Sequence, residues 1–310
     1  MSEKVIINKK ISSFNKEISV SGDKSLSIRW VLFSSIANGV SEAKNLLISD
    51  DVLAAIKAVK KFGIKSTIKN SVCKIYGKGI NGYKYKKNLT INAENSGTLG
   101  RLLLGLLINT SAPIKLIGDD SLSKRDFSRI SKPLSKFGAV FKLKKNKNLP
   151  LTILGSNKLK PIKYTENKGS AQCKSSVIFG AMRTNGTTVI KAKKSRNHTE
   201  ILCKYLNIPL TIKSKKNFDE IKIRKAKLIK PLNYNIPGDM SSSAFFIVLT
   251  ALTYNSNLTI KNVNINPSRT GIIIILKRMG IKIIYKNIKI YKGEKIADIK
   301  IKSPKTIKPI

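Results

Sequence analysis

The sequence predicts an α/β protein built from four copies of one unit, on the basis of three observations. Small polar helix-start signals, each followed by an apolar run, recur at Ser25, Thr98, Ser170 and Ser241, which lie 73, 72 and 71 residues apart. A second helical pattern begins some 25 residues beyond each start and ends at a stop residue, and these stops are Gly63, Gly138, Asn207 and Gly280. Strand signals lie between and after the helices. Two landmarks that recur together over four copies argue against chance periodicity.

Each copy has the order helix, strand, helix, strand, strand, with one more strand leading into the next copy. The second helices are predicted at 51–63, 128–138, 198–207 and 268–280. The strands between the two helices are predicted at 42–46, 114–117, 187–191 and 258–263. The strand pairs that follow are exemplified by 65–69 with 72–76 and by 282–285 with 298–301. Because the first helix of each copy is the most apolar, we expect these helices inside and the sheets outside.

Length and composition bound the class of protein. The chain has 310 residues and 41% hydrophobic content, enough for two domains with cores. It has no apolar run of membrane-spanning length and no signal-peptide pattern at Met1, so we expect a cytoplasmic protein without membrane contact. Cys73, Cys173 and Cys203 lack paired spacing and the only histidine is His198, which argues against a zinc site. Buried, reduced thiols and no metal or other cofactor are therefore expected.

The formal net charge of +43 is explained by biased codon composition without any selected function. Of the 60 basic residues only nine are arginine, and the lysines are scattered among abundant isoleucine and asparagine, as biased A+T-rich codons would produce. A specific nucleic-acid-binding protein would need clustered arginine or aromatic residues, whereas aromatics are 6% and no binding-module signature is present. The positive field would still attract small anions.

The segment from Ser21 to Arg29 indicates an anion site at a helix start. Its turn formers are followed by an apolar helix, so backbone N–H groups and the positive end of the helix dipole face outward. Ser25 and Arg29 are four residues apart, which places them on one helix face, and Lys24 adds another donor. Taken alone, the segment is equally compatible with a capped surface helix whose Lys and Arg are solvated.

Eight segments, in order along nearly the whole chain, carry a family resemblance: SGDKSLSIR, LLISDDVLAAIKAVKKFGI, NSGTLGRLL, GDDSLSKRDFSRISKPLSKFGA, GSAQCKS, SRNHTE, PGDMSSSAFF and NVNINPSRTGIIIILKRMG. The chain resembles the 5-enolpyruvylshikimate-3-phosphate synthases. The resemblance implies transfer of the enolpyruvyl group of phosphoenolpyruvate to the 5-hydroxyl of shikimate 3-phosphate, with release of phosphate. It also implies the two-domain enolpyruvyl transferase fold, an inside-out α/β barrel with three βαβαββ units in each domain and the substrates in the cleft between the domains.

The resemblance also implies site residues. For shikimate 3-phosphate these are Lys24, Ser25, Arg29, Ser170, Ala171, Gln172 and Ser195. For phosphoenolpyruvate they are Lys24, Gly97, Arg125 and Gln172, and Lys24 is the expected catalytic residue. Arginine presents a planar fork suited to carboxylate or phosphate, and a glycine at a helix start lets the anion approach the backbone.

Each assignment has an ordinary alternative. Ser170 and Ser195 would serve equally as helix N-caps, Gly97 as a turn glycine and Arg125 as a solvated arginine. Their shared position at repeated helix starts favours a common anion site.

Two further polar residues are interpreted more conservatively. His198 is interpreted as an ordinary first-turn residue of a helix. Asp239 is interpreted as marking the return of the chain to the first domain, with a capping role at least as well supported as ligand contact.

Four repeats are present where the resemblance implies six. Residues 24–238 are expected to form a complete domain of three units, and residues 1–23 with 239–310 an incomplete one. Since the reaction needs proton transfers whose acid and base the family places in a C-terminal part, two hypotheses follow. Either the chain binds shikimate 3-phosphate weakly and turns over negligibly alone, or a separate C-terminal piece completes it. We otherwise expect a monomer.

Three alternative functions stay open from sequence alone. The UDP-N-acetylglucosamine enolpyruvyl transferases share the fold, but they typically carry a reactive cysteine in the loop that matches 118–125, which has none here, and Gly-Ala-Lys-Asn in place of Gly22-Asp23-Lys24-Ser25. A nonenzymatic nucleic-acid-binding protein and a decayed product without activity are the others.

Overall fold

The computed structural model describes residue 6 and residues 8–309. The helices in this part of the chain are α1 (Lys24–Ser35), α2 (Asp50–Lys61), α3 (Gly97–Leu106), α4 (Asp120–Ser123), α5 (Ser128–Ser135), α6 (Ala171–Ala181), α7 (His198–Tyr205), α8 (Met240–Leu252) and α9 (Gly271–Arg278). The strands are β1 (Asn15–Ser19), β2 (Asn38–Lys44), β3 (Lys65–Lys69), β4 (Val72–Lys78), β5 (Leu89–Asn92), β6 (Ile114–Ile117), β7 (Val140–Lys144), β8 (Asn148–Leu154), β9 (Lys163–Glu166), β10 (Thr187–Lys193), β11 (Leu210–Ser214), β12 (Phe218–Arg224), β13 (Tyr234–Asn235), β14 (Asn257–Asn264), β15 (Lys282–Tyr291) and β16 (Glu294–Lys302). The mixed α/β class is as predicted.

The chain divides into two compact units. Unit 1 comprises residues 1–21 and 237–310, and unit 2 comprises residues 22–236. The chain therefore passes from one unit to the other twice, just before Gly22 and just after Ile236.

Unit 2 contains three four-stranded sheets, ordered β13-β2-β4-β3, β5-β6-β8-β7 and β9-β10-β12-β11. In each sheet the edge strand that is written first (β13, β5 or β9) runs parallel to its neighbour, and the other two pairings are antiparallel. Buried and exposed residues alternate along strands such as β10, so these sheets have one face on the core.

The three first helices of unit 2 form its centre, as the sequence predicts. Ten of the twelve residues of α1 and ten of the eleven of α6 are buried, and α3 packs directly against α6. Side chains link the beginnings of α3 and α6 through Thr98 and Gln172, and link the positions just after their ends through Asn109 and Arg183. These two helices therefore run side by side in the same direction.

The four predicted stop residues all adopt the left-handed conformation that terminates a helix. Their φ angles are 77° at Gly63, 118° at Gly138, 56° at Asn207 and 87° at Gly280. Glycine and asparagine reach this region at little steric cost, which explains why they mark the end of the second helix in each copy.

Two strands lie in different copies from those that the repeat predicts. The strand before α1 pairs with β14 of unit 1, Asn15 opposite Asn257, and the strand before α8 pairs with β2 of unit 2, Tyr234 opposite Ala43. Each strand thus completes the unit that the chain is about to leave. At one crossing a Cβ on Gly22 would lie 2.0 Å from the Asn45 carbonyl oxygen, so only glycine fits there.

Unit 1 contains one sheet, β1-β14-β16-β15, with α8 and α9 packed on it. The prediction that every first helix is buried is wrong for α8: Phe245 and Leu252 on this helix are 79% and 69% exposed. The described part of unit 1 has a single copy, so no sister helices from the same unit cover that face of α8.

A buried carboxylate, Asp298 on β16, holds the two bulges of the unit 1 sheet. It accepts hydrogen bonds from the Asn262 backbone N–H at 2.8 Å and from the Asn287 side-chain amide at 2.7 Å, and it pairs with Lys261 at 2.9 Å. Both asparagines have positive φ, and they lie where the register of β14 and β15 shifts. Burial acts to raise the pKa of Asp298, but these hydrogen bonds and the lysine hold the pKa below its ordinary value.

Gly105→Ala is expected to destabilise unit 2. A Cβ on Gly105 would lie 2.1 Å from the Ser176 carbonyl oxygen of α6, so α3 and α6 would have to separate, at a cost of about 1–3 kcal/mol. Urea denaturation measures the change. Gly100→Ala on the same helix is the matched control, because its Cβ would meet Phe127 at an ordinary 3.4 Å, and helix propensity there favours alanine by about 1 kcal/mol. Equal stabilities of the two variants would contradict the packing described.

Asp298→Asn is expected to lower the stability of unit 1 at pH 7 by about 1–3 kcal/mol, because hydrogen bonds to a charged acceptor are lost. The folded-state pKa is depressed, so the contribution is fully present above the unfolded pKa of about 3.9 and is lost as pH falls through the folded pKa. Hydrogen exchange of the β14 and β16 amides should accordingly depend less on pH below pH 5 in the variant. The exposed Glu17→Gln is the control, and an unchanged pH dependence in Asp298→Asn would contradict this role.

Candidate active site

The start of α1 is built around a buried arginine. The Asp23 side chain caps the helix by accepting the Leu26 N–H at 2.9 Å. Arg29 is 3% exposed, and its guanidinium donates to Thr199 Oγ1 at 2.7 Å and to Ser175 Oγ at 3.2 Å. It also donates to the Ser25 carbonyl oxygen at 3.0 Å, one helical turn earlier. The alternative of a solvated arginine at this position is therefore wrong.

The two residues that open α1 face other charged side chains. Lys24, about half exposed, lies 3.2 Å from the Asp51 carboxylate in the first turn of α2. Ser25 Oγ lies 3.5 Å from the Arg196 guanidinium, which comes from the loop before α7. Three cationic side chains, those of Lys24, Arg29 and Arg196, thus lie at the start of α1.

The start of α3 brings two arginines to one glycine. Ser96 caps this helix, and Gly97 is its first residue. A Cβ on Gly97 would lie 2.7 Å from an Nη atom of Arg101 and 3.0 Å from one of Arg125. Arg125 is exposed but is held by Asn95 Oδ1 at 3.0 Å, so it is neither buried nor free in solvent. The glycine therefore keeps the helix start open beside two guanidinium groups.

The start of α6 is linked to α3 by one glutamine. Gln172 accepts a hydrogen bond from Arg101 at 2.8 Å and donates one to Thr98 Oγ1 at 2.9 Å. Ser170 is an N-cap, since its Oγ accepts the Cys173 N–H at 3.2 Å, and Ala171 is the first helical residue. A serine that accepts such a bond keeps its O–H as a donor. The capping alternative for Ser170 is thus correct and is compatible with ligand binding.

Ser195 does not cap a helix. The helix that follows begins at His198 with Asn197 as its cap residue. Among the described residues, the buried Ser195 hydroxyl oxygen has no hydrogen-bond partner. Buried hydroxyls are normally hydrogen-bonded, so this one is suited to a ligand. His198 itself is the buried first residue of α7, as interpreted from the sequence.

Asp239 is placed in unit 1, where it caps α8. Its carboxylate accepts the Ser241 N–H at 2.7 Å and pairs with Arg269 at 2.8 Å. The capping role suggested by the sequence is therefore confirmed.

A buried ion pair, Lys174–Glu200, joins α6 and α7 beside the residues that contact Arg29. Lys174 of α6 and Glu200 of α7 are 0% and 2% exposed in their side chains, and Nζ lies 2.6 Å from Oε1. Ser175 follows Lys174 and Thr199 precedes Glu200 along the chain. Their hydroxyl groups hold Arg29, and the two hydroxyl oxygens are 2.6 Å apart. The pair therefore fixes α6 against α7 at the point where both contact the arginine.

Sequence reasoning missed Arg101, Thr98, Ser175 and Thr199. Arg101 had a signal, because it is the only charged residue in the apolar run LGRLLLGLL. Burial lowers the pKa of Arg101, whose guanidinium donates to neutral oxygens of Gly97 and Gln172 and lies over the Phe127 ring, 5.1 Å from its centre. The hydroxyls gave no signal, because serine and threonine are common at helix starts.

The described residues contain no group of three His, Cys, Asp or Glu side chains suited to a metal ion. All three cysteines are buried and unpaired, and burial raises the pKa of Cys73 to about 11. Within the described ranges, no helix combines the length and apolar character needed to cross a membrane.

Three βαβαββ copies whose helix starts collect arginine, lysine and hydroxyl groups define a repeated α/β protein with helix starts suited to small anions. Residues 8–310 match the family model of EPSP synthase (3-phosphoshikimate 1-carboxyvinyltransferase). The chain belongs to this family.

Individual relatives agree with the family match. The chain is 39% identical over 289 residues to the 3-phosphoshikimate 1-carboxyvinyltransferase of Thermoanaerobacter sp. (strain X514), covering 92% of this chain and 66% of the relative. Identity to the enzyme of the same name from Caldicellulosiruptor bescii is 41%, covering 93% and 66%. The solved EPSP synthase of Acinetobacter baumannii superposes with a TM-score of 0.87 at 35% identity, covering 96% and 66%. The chain thus spans just under two thirds of the length of these relatives.

Lys174→Met is expected to destabilise unit 2 by about 3–5 kcal/mol, because it leaves the Glu200 carboxylate buried without its cation. The double variant Lys174→Met/Glu200→Met should recover much of that loss, since no isolated charge remains. Urea denaturation of both variants checks this. Lys222→Met, which removes an exposed lysine on β12, is the control. If the double variant were no more stable than Lys174→Met, the ion pair would not be the cause.

Proposed function

We propose that this protein transfers the enolpyruvyl group of phosphoenolpyruvate to the 5-hydroxyl of shikimate 3-phosphate. In that reaction the hydroxyl loses its proton and its oxygen forms a bond to the enol carbon. The carbon–oxygen bond to phosphate breaks, and the phosphate that leaves carries, on balance, the proton lost by the hydroxyl. Both substrates are anions, so a site rich in arginine and lysine suits them. Family membership supports the reaction, and the observation that carries the proposal is the buried Arg29 at the start of α1, fixed by hydroxyls of α6 and α7 and by the Ser25 carbonyl oxygen.

Shikimate 3-phosphate is assigned to the joined starts of α1, α6 and α7. The residues proposed to hold it are Lys24, Ser25, Arg29, Ser170, Ala171, Gln172 and Ser195. Three features support this assignment: the remaining O–H of Ser170, the unpartnered buried hydroxyl of Ser195 among the described residues, and the backbone of Ala171 at a helix start. Hydroxyl and backbone N–H donors bind phosphate and sugar oxygens without adding charge.

Phosphoenolpyruvate is assigned to the start of α3. The residues proposed to hold it are Lys24, Gly97, Arg125 and Gln172, with Lys24 as the catalytic group that contacts both substrates. Arg101 is added to this set, because its guanidinium lies beside Gly97 and fixes Gln172. Two guanidinium groups beside a glycine at a helix start match the two anionic groups of this substrate.

Arg29→Gln is expected to weaken binding of shikimate 3-phosphate by about 10- to 100-fold, the loss that corresponds to charge-assisted hydrogen bonds. Isothermal titration of the purified chain measures it. Ser25→Ala is a second variant that should weaken binding while leaving the Arg29 bond to the Ser25 carbonyl oxygen intact. Phosphate release that requires both substrates is the readout for the transfer itself.

Arg224→Gln is the matched control, because it removes one positive charge from the exposed surface of the same unit. It should bind like the wild type. Thermal unfolding of all variants separates loss of the site from loss of the fold. If Arg29→Gln and Ser25→Ala bound shikimate 3-phosphate as tightly as the wild type, or the wild type gave no binding heat, the proposed function would be wrong.

A further inference from the structure

Unit 2 has a polar cavity at the carboxyl ends of its central helices. Its volume is about 360 Å³. The polar side chains that line it include Asn81, Tyr83, Tyr85, Asn109 and Arg183. Tyr83 contacts Ser35, the last residue of α1, at 2.7 Å, while Asn109 and Arg183 follow the ends of α3 and α6. The cavity is therefore at the opposite end of these helices from the candidate active site.

Arg183 is the buried cation of this cavity. It is 8% exposed, and its Nη1 donates to Asn109 Oδ1 at 2.7 Å and to Asn81 Oδ1 at 3.4 Å. The guanidinium lies over the Tyr83 ring, 5.9 Å from its centre. Its buried Nε has no hydrogen-bond partner among the described residues. A guanidinium has five N–H donors, so part of its capacity is available to another molecule.

The protein partners of Arg183 are electrically neutral. Its hydrogen bonds go to amide oxygens, and burial raises the pKa of the adjacent Tyr83 to about 12, so this phenol is uncharged at neutral pH. The described lining residues include no carboxylate, and Lys84 adds a second cation. Burial lowers the pKa of Arg183, which reflects the unfavourable desolvation of its charge. A bound anion would offset that penalty.

The ends of the helices do not themselves require this arginine. Equivalent backbone hydrogen bonds cap the three copies, from Gly79 to Ala37, from Ser156 to Ile108 and from Ala226 to Met182. These bonds align Arg183 with Asn38 and Asn109 in the other two copies. Because asparagine serves at two of the three matching positions, the arginine is a feature of this cavity and not of the repeat.

We propose that this cavity is a second anion site, which binds a small carboxylate or phosphate group on the Arg183 guanidinium. The planar fork pairs with two oxygens of such a group, and the amide and hydroxyl groups of Asn81, Asn109 and Tyr85 provide further hydrogen bonds. A volume of 360 Å³ at the lower end of small-molecule sites fits a small metabolite. The proposal does not depend on the function assigned to the other end of the helices.

The test is an NMR titration of the full chain labelled with ¹⁵N-arginine, with inorganic phosphate and acetate added separately at constant ionic strength. Each of the nine arginines contributes one Nε–H signal. The signals of Arg183 and Arg29 are identified by their loss from the spectra of Arg183→Lys and Arg29→Lys. The Arg183 signal should shift along a saturating curve. Saturation by phosphate alone indicates a phosphate ligand, and saturation by acetate indicates a carboxylate. The proposal would be overturned if the chemical shift of the Arg183 signal did not change, or if it changed only as much as it does when sodium chloride is added instead.

Arg183→Asn reproduces the residue of the other two copies and should retain the fold. This variant has no Arg183 signal, so binding is followed by the NMR signal of the Tyr85 ring in protein with labelled tyrosines, and the Tyr85→Phe variant identifies that signal. Arg183→Asn should bind the anion at least tenfold more weakly than the wild type. Arg183→Lys keeps the positive charge but not the planar guanidinium, so its loss of affinity for the anion should be smaller. Unchanged affinity in Arg183→Asn would count against the site. The Arg29 signal reports the candidate active site independently in the same spectra.

Discussion

The close, same-direction packing of α3 against α6, with α1 buried beside them, is the constraint on which the rest of unit 2 depends. At Gly105 the backbones approach so closely that no side chain fits between them. Parallel packing places helix starts with helix starts and helix ends with helix ends. Dipoles, backbone N–H groups and cations therefore accumulate at one end, and the unit gains a surface suited to anions as a consequence of how its core is packed.

Each end of the cluster formed by α1, α3 and α6 contains a buried arginine, and the two arginines have different partners. At the starts, Arg29 is held by hydroxyls and a carbonyl oxygen, with a buried Lys174–Glu200 pair behind it. At the ends, Arg183 is held by amides and an aromatic face, with no carboxylate among the lining residues. A fixed, partly satisfied guanidinium loses little further freedom when it binds an anion, which favours recognition.

Unit 1 shows what the same repeat does as a single copy. Its sheet is stable enough to carry two bulges because one carboxylate, Asp298, connects them. Its first helix packs on the sheet through Met240, Ile247 and Ala251, yet the opposite face presents Phe245 and Leu252 to solvent. In unit 2 the corresponding faces are covered by sister helices. Burial of these helices is thus a property of the assembled copies and not of the helix sequence.

The sequence by itself determined the features that arise from local chemistry. Helix starts at small polar residues, stops at Gly63 and Asn207 with positive φ, and the βαβαββ order all follow from interactions within a few residues of each position. The sequence also determined the family, because its motifs extend along nearly the whole chain. Only the tertiary structure decided which copy β1 and β13 join, that Arg101 reaches Gln172, and that Arg183 lies in a cavity. The partners in those contacts lie more than 70 residues apart along the chain, and no local pattern records which of them will meet.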